Sequence, residues 1–363
     1  MSLDEFAAAG LYDRDAPRAD ERRELLEHLA SRFALDDIIA MAQQTPPYVI
    51  AASLAMEAPT FISARQAAVA AGVPIEDVRE LRAALGWPVV DDDDASLPDT
   101  VVEDLALFAL AKASFEPAAV NEFVRVLGAA VLRLIEAGRS MMSSSADREG
   151  RATELELSMA NEVSNAAWNA LPPLIGHVMT EHAGKELDFA TRVNDADLRL
   201  GVVFVDLVAF TSWTASVSPA VHARVLARFE RAAWEIAVAH GGRLVKLIGD
   251  EAMIVAPSAA AALQVATELV RFAAADGELP RATAAAGFGP VVARGGDYFG
   301  ALVNLVARAI SVAQANEVLV TEDVVGLLDA GAWRCVEKGT FDLKGVDAPV
   351  TLWRVEQAST PPN

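Results

Sequence analysis

The chain changes its hydrophobic rhythm once, near residue 190, and that change limits how it can fold. Up to there, apolar side chains recur at three- and four-residue spacing, the period of an amphipathic helix. The spacing predicts helices over Glu21 to Phe33, Leu35 to Gln44, Val101 to Ser114, Pro117 to Arg139 and Glu154 to Trp168. Breaks are expected at Thr45-Pro46-Pro47, Asp91 to Asp94, Ser143 to Ser145 and Pro172-Pro173. After Asp197, short β-branched runs alternate with helical stretches. Strands are expected over 200–205, 243–248, 252–255, 283–287, 317–320, 333–337 and 351–355, and helices over 219–240, 258–274 and 302–314. Such alternation packs helices against a mixed sheet. The expected fold class is α+β, with an all-α domain over residues 1–190 and an α/β sandwich over 191–363, joined by a connector from Asp188 to Asp197.

Charge narrows the function. Thirty Lys and Arg against 51 Asp and Glu leave a net charge of −21, which opposes non-specific attraction to nucleic acid or anionic lipid. A polyanionic substrate therefore needs a local cationic site, with metal ions as the usual help. No uninterrupted apolar stretch approaches the ~18 residues of a membrane span, so no stable membrane insertion is expected. The start Met1-Ser2-Leu3-Asp4-Glu5 lacks the basic and apolar regions of a signal peptide, and the lone Cys335 has no internal disulfide partner. Both favour a cytoplasmic location. Cys335 reads as a small apolar residue near a strand, with redox sensing as the alternative.

Three short motifs concentrate the polar chemistry of the second half. The first runs Phe204-Val205-Asp206-Leu207-Val208-Ala209-Phe210-Thr211. The second is Lys246-Leu247-Ile248-Gly249-Asp250, and the third runs from Asp297-Tyr298-Phe299-Gly300 through Asn304 to Arg308. Asp206 follows an apolar strand, where ligands of open sheets sit, and Asp250 falls in an expected hairpin turn. Together they offer hard oxygen ligands to Mg²⁺ or Mn²⁺, singly or as a two-metal pair on a triphosphate. Alone, Asp206 serves equally as a cap for a helix over 211–215, and Asp250 as a turn residue. Asn304 and Arg308 are four apart and share one helix face.

Residues 198–356 resemble a class III adenylate cyclase catalytic domain, through these motifs and through Gly289-Pro290-Val291-Val292-Ala293, Leu343-Lys344-Gly345, Pro349-Val350 and Trp353. The resemblance implies a ferredoxin-like sandwich that converts ATP to cyclic AMP and pyrophosphate. It implies that Asp206 and Asp250, with the Leu207 carbonyl, bind two divalent cations per site. Lys246 and Asp297 would read adenine, and guanylate cyclases carry other residues there. Asn304 would orient the ribose, Arg308 would meet charge on the α-phosphate, and Lys344 would touch the triphosphate or be only a loop lysine. The family splits each site between two protomers, so a head-to-tail homodimer is implied. Ala209 stands where the family usually has glycine, and the short segment from Val292 to Asp297 should tighten the turn beneath the adenine site. A non-catalytic nucleotide sensor on the same fold is the alternative.

In the first half, Phe61 to Leu81 has the outline of a helix-turn-helix, with Gly72 at the turn and a capped second helix. Glu76, Asp77 and Glu80 offset Arg79 and Arg82 there, which favours packing over a DNA-binding regulator, since phosphate contact needs surplus base. In size and position this half resembles the regulatory domains ahead of some actinobacterial adenylate cyclases. Two signals suggest themselves. His177 and His182 lie beside the connector and are either pH-responsive or ordinary histidines. The stretch from Val120 to Ile135 either holds a small apolar regulator or packs a core.

Overall fold

The computed structural model describes residues 3–55, 60–146, 152–190, 198–328 and 333–357. The chain divides into two compact units, residues 1–184 and 185–363. Among the described residues no helix is long and apolar enough to cross a membrane.

Among its described residues, the first unit has helices, loops and one short ladder. It contains α1 (Leu3–Ala8), α2 (Ala19–Ala30), α3 (Leu35–Ala42), α4 (Ile50–Leu54), α5 (Ala64–Ala71), α6 (Ile75–Leu85), α7 (Val101–Ser114), α8 (Pro117–Ala146) and α9 (Glu154–Ala190). Strands β1 (Phe61–Ile62) and β2 (Leu97–Pro98) pair antiparallel, where the sequence predicted helix alone. Apolar residues of α1 to α4 form one core around Leu25, Leu26, Leu29, Ile38 and Ile50, and α5 to α8 form another around Ala67, Val78, Leu105 and Val124. Helix α9 is fastened to α2 by charge. Arg22 bonds Glu154 through both Nε (2.5 Å) and Nη2 (2.6 Å), and Glu162 accepts from Arg32 and lies 2.9 Å from His28 Nε2.

Three expectations need correction here. Helix α8 runs through Ser143 to Ser145, because serine costs only about 0.5 kcal/mol in a helix interior. Helix α9 continues past Trp168 and through Pro172 and Pro173. The residues there are exposed, so water can satisfy the two carbonyls that the prolines leave without helical donors. It also extends over residues 188–190 of the expected connector, whose remainder, 191–197, lies outside the described residues. In the helix-turn-helix segment, Gly72 does sit at the turn (φ 68), but the side-chain cap is on the first helix. Ser63 and Gln66 form a reciprocal capping box there, while α6 begins after Pro74 with no side-chain cap. The charges of α6 are turned inward on the protein. Lys112 bonds Asp77 (2.8 Å) and Glu80 (2.5 Å), Asn121 bonds Glu80, and Arg79 pairs with Asp92.

The second unit is built on a seven-stranded sheet in the order β10-β11-β9-β6-β3-β5-β4, antiparallel except between β6 and β9. Its elements are β3 (Arg199–Leu207), α10 (Phe210–Thr214), α11 (Pro219–Ala239), β4 (Arg243–Ile248), β5 (Glu251–Ala256), α12 (Ala259–Asp276) and β6 (Ala282–Pro290). Then follow β7 (Val292–Arg294), β8 (Asp297–Phe299), α13 (Ala301–Ala309), β9 (Val318–Thr321), α14 (Glu322–Val325), β10 (Trp333–Phe341) and β11 (Val350–Gln357). The β3-α11-β4-β5-α12-β6 run, with strand order β6-β3-β5-β4, is the ferredoxin-like pattern that the resemblance implied. Both sheet faces are covered, so β3 reads as a nearly continuous apolar run. Val203, Val205 and Leu207 join the core shared with α11 and α12, and Leu200, Val202 and Phe204 join the core shared with α13. Strands β7 and β8 form a separate hairpin that closes on Gly295 (φ 60) and Gly296 (φ 78). Two consecutive left-handed residues make the tight two-residue turn that glycine permits without steric cost.

Candidate active site

Strand alternation places the acidic residues. Asp206 continues the series Leu200, Val202, Phe204 and so lies on the α13 face of the sheet. It stands opposite Glu251 of β5. The β4–β5 hairpin closes on Gly249 and Asp250, with Gly249 at φ 67, and this turn brings Asp250 into hydrogen bonding with Asp206. Burial, the Asp250 charge and that shared hydrogen bond push the Asp206 carboxyl up to about 6, opposed by a hydrogen bond with the Leu207 backbone. Burial, followed by the charges of Asp206 and Asp250, pushes Glu251 up to about 7, with Arg308 pulling the other way. Negative charge is crowded here, and a divalent cation relieves such crowding. Among the described residues no group of three or more His, Cys, Asp or Glu side chains is arranged to hold a metal by itself. The donors available are the paired carboxylates and backbone oxygen such as that of Leu207, and this set suits a hard cation that also takes phosphate oxygens.

Asp206 does not cap the following helix. Helix α10 begins after Ala209, which has no side-chain cap and sits in the left-handed region (φ 57, ψ 27). The residue that departs from the glycine of the resembled family is thus held in the conformation that favours glycine.

A second polar cluster lies at β4 and β8. Lys246 Nζ bonds Asp297 Oδ2, with the two side chains 39% and 25% exposed. Asp297 Oδ1 also accepts the backbone N–H of Tyr298 at 2.8 Å. The pairing depends on a β-bulge. Leu244 opposes Ile254 and Lys246 opposes Met253, so Val245 is extra. The bulge puts Lys246 on the same face as Met253, which belongs to the α13 core. Helix α13 leaves Asn304 and Arg308 exposed, one turn apart, while Leu302, Val303 and Val306 anchor it to the sheet. Lys344 is exposed in the turn between β10 and β11.

The structure therefore brings Asp206 together with Asp250, and Lys246 together with Asp297. His177 and His182 are exposed on α9, in the other unit. On α8, Val120 and Val124 are buried, but Leu127, Val131 and Leu132 beyond them are exposed. Sequence reasoning passed over Glu251. It adjoins Asp250 in the chain, yet only the β3–β5 register sets it opposite Asp206.

Comparison with known proteins places both halves of the chain. Residues 5–187 match the model of the adenylate cyclase regulatory domain, and residues 283–357 match that of the adenylate and guanylate cyclase catalytic domain. The second match includes Asp297, Asn304, Arg308 and Lys344 and begins after Asp206, Lys246 and Asp250. An uncharacterized protein of Mycobacterium tuberculosis is 30% identical over 99% of this chain and 97% of its own length. The pH-sensitive adenylate cyclase of the same species is 29% identical over 94% of this chain and 89% of its own. An adenylate cyclase of Streptomyces coelicolor is 36% identical over 154 residues, 41% of this chain and 40% of its own.

Proposed function

This chain belongs to the class III adenylate cyclases that carry a helical regulatory domain ahead of the catalytic domain, and from that premise we propose how it makes 3′,5′-cyclic AMP. The ribose 3′-hydroxyl gives up its proton to solvent as its oxygen bonds the α-phosphorus of ATP, in line with the breaking bond from that phosphorus to the oxygen bridging to the β-phosphate, and pyrophosphate leaves with that oxygen and the bonding electron pair. The observation that best supports this reading is that a carboxylate pair, Asp206 and Asp250, and an ammonium–carboxylate pair, Lys246 and Asp297, occur in one sheet domain beside α13.

Asp206, Asp250 and the Leu207 carbonyl hold the divalent cations, Mg²⁺ or Mn²⁺, that enzymes of this family use. When bound, two such ions lower the pKa of the 3′-hydroxyl and neutralise the triphosphate. Lys246 donates to adenine N1 and Asp297 accepts from the exocyclic amine. Guanine reverses both groups and would leave the pair unsatisfied, which is a strong basis for rejection. Asn304 orients the ribose. Arg308, always charged and planar, stabilises charge growing on the α-phosphate, and Lys344 meets the triphosphate tail.

Each site takes its carboxylates from one protomer and its base-reading, ribose-reading and Arg residues from the partner, in a head-to-tail homodimer. Residues 1–190 regulate by shifting that composite geometry. Their signal is pH through His177 and His182, a reading favoured by the pH-sensitive relative, or a small apolar regulator beside α8.

The test is to incubate the purified full chain with ATP, and separately with GTP, in Mg²⁺ or Mn²⁺ from pH 5 to 8, and to quantify cyclic product. Cyclic AMP from ATP alone is expected, and Asp206→Ala should remove it while leaving the fold intact. No product from a dimer that still binds ATP would establish a non-catalytic sensor instead. A pH profile unchanged by the double variant His177→Ala, His182→Ala would dismiss those histidines, and deletion of 1–190 with no effect under any condition would dismiss regulation by that domain.

A further inference from the structure

Lys246 and Asp297 stand on separate structural bodies. Lys246 belongs to the edge strand β4 of the seven-stranded sheet, and Asp297 begins β8 in a hairpin that pairs only with itself among the described strands. A hairpin of two three-residue strands has little stability of its own; its base is tied down by its short connections to β6 and α13 and by the Val291 N–H to the Leu198 carbonyl (2.9 Å), and side chains add its links to β4.

Among the described residues, two side-chain links run between these bodies in parallel. One is the Lys246–Asp297 ion pair. The other is Arg243, whose Nη2 donates to the Tyr298 hydroxyl while its guanidinium carbon lies 5.5 Å from the centre of the Tyr298 ring. Tyr298 is 6% exposed and is packed in the core with Leu302 and Val303 of α13. In a regular strand, residues three apart face opposite ways. The bulge at Leu244–Lys246 cancels that, since Arg243 opposes Val255 and Lys246 opposes Met253, both in the α13 core. The same irregularity thus aims both links at β8.

The two links have different fates when a base arrives. Lys246 and Asp297 must turn hydrogen-bonding capacity from each other to the base, so their mutual bond weakens at the moment their spacing matters most. Arg243 and Tyr298 give up nothing. We infer that the Arg243–Tyr298 pair is a positioning strap that sets the spacing of Lys246 and Asp297, and thereby tightens ATP binding and selection of adenine over guanine. This rests on the reading of Lys246 and Asp297 as the base-reading pair.

The experiment uses the full chain with Tyr298→Phe, Arg243→Met, Arg243→Lys and the pair Lys246→Ala, Asp297→Ala. Measured are kcat and KM for ATP and GTP, and the Kd of each nucleotide by calorimetry, which reads selectivity without turnover. For Tyr298→Phe and Arg243→Met, KM and Kd for ATP should rise about ten-fold and the ATP-to-GTP ratio of kcat/KM should fall by a similar factor, with kcat within about two-fold. Combining the two should add little, as expected of partners in one contact. Arg243→Lys, which keeps charge without the planar fork, should recover part of the selectivity. Loss of thermal stability with both ratios unchanged would overturn the strap and leave a packing contact. If Lys246→Ala, Asp297→Ala itself leaves base selection unchanged, the reading of that pair fails. If it relaxes selection and the strap variants do not, the strap alone fails.

Discussion

Gly287 lies in β6 opposite Val202, directly against helix α13. A Cβ at this position would stand 2.7 Å from Leu302 Cδ1, 2.7 Å from Val306 Cγ2 and 3.3 Å from Thr321 Oγ1. Carbon atoms in good contact are about 3.5–4.0 Å apart, so Gly287→Ala must open roughly 1 Å between β6 and α13. Leu302 can turn its end aside, but Val306 is fully buried and β-branched, with little rotamer freedom. The helix itself must move. Overpacking of this kind costs about 1–3 kcal/mol. Because α13 carries Asn304 and Arg308, a shift of about 1 Å also predicts a fall in kcat on the order of 100-fold. Gly289 provides the control. Its added Cβ would meet Leu302 Cδ2 at 3.5 Å, an ordinary contact, so Gly289→Ala should keep kcat near that of the parent. Stability is read by denaturant titration and kcat by cyclic AMP formation at saturating ATP. If Gly287→Ala loses stability but keeps kcat, the position of α13 is not what the reaction depends on. If it loses neither, the packing argument is wrong.

Ala209→Gly should stabilise the protein by about 0.5–1 kcal/mol, since left-handed backbone costs an alanine about 1–2 kcal/mol and the added flexibility of glycine returns part of it; a lower melting temperature would contradict this. Arg308→Ala should reduce kcat by about 100- to 1,000-fold with a smaller change in KM, and a change confined to KM would show that Arg308 acts in binding alone. Burial raises the Glu162 carboxyl, but Arg32 and His28 together outweigh it and hold the group below its ordinary range. A depressed carboxylate contributes stability above its unfolded pKa of about 4.3 and loses it as pH falls through the lower folded value. Glu162→Gln should therefore destabilise at pH 7, with the difference from the parent shrinking below about pH 4; a difference that grows toward acid would refute the assignment.

Much of the second unit was legible because its chemistry is local in sequence. The strand predicted over 243–248 and the helices predicted over 219–240 and 258–274 lie within two residues of β4, α11 and α12. The turn at Gly249–Asp250 was equally readable, as glycine at a turn is a backbone requirement that the sequence declares. The first unit was less so. Pro172 and Pro173 are strong breakers in an average context, but in α9 they are exposed and solvent can answer for the lost donors. The β1–β2 ladder pairs Phe61 with Pro98 and Ile62 with Leu97, residues far apart in the chain, and no local period announces it.

The candidate site divides the same way. The resemblance of three short motifs to the class III cyclases singled out Asp206, Lys246, Asp250, Asp297, Asn304 and Arg308 as expected site residues, and such motifs are readable because they are local in sequence. Three things waited for the tertiary structure: Glu251 facing Asp206 across two strands, Ala209 in a left-handed conformation, and Arg243 on the same face as Lys246. Each depends on register or backbone angle, which are set by how strands pair and pack. An alternation of period two, read along β4, would have sent Arg243 and Lys246 to opposite faces, and one extra residue at Val245 reversed that outcome.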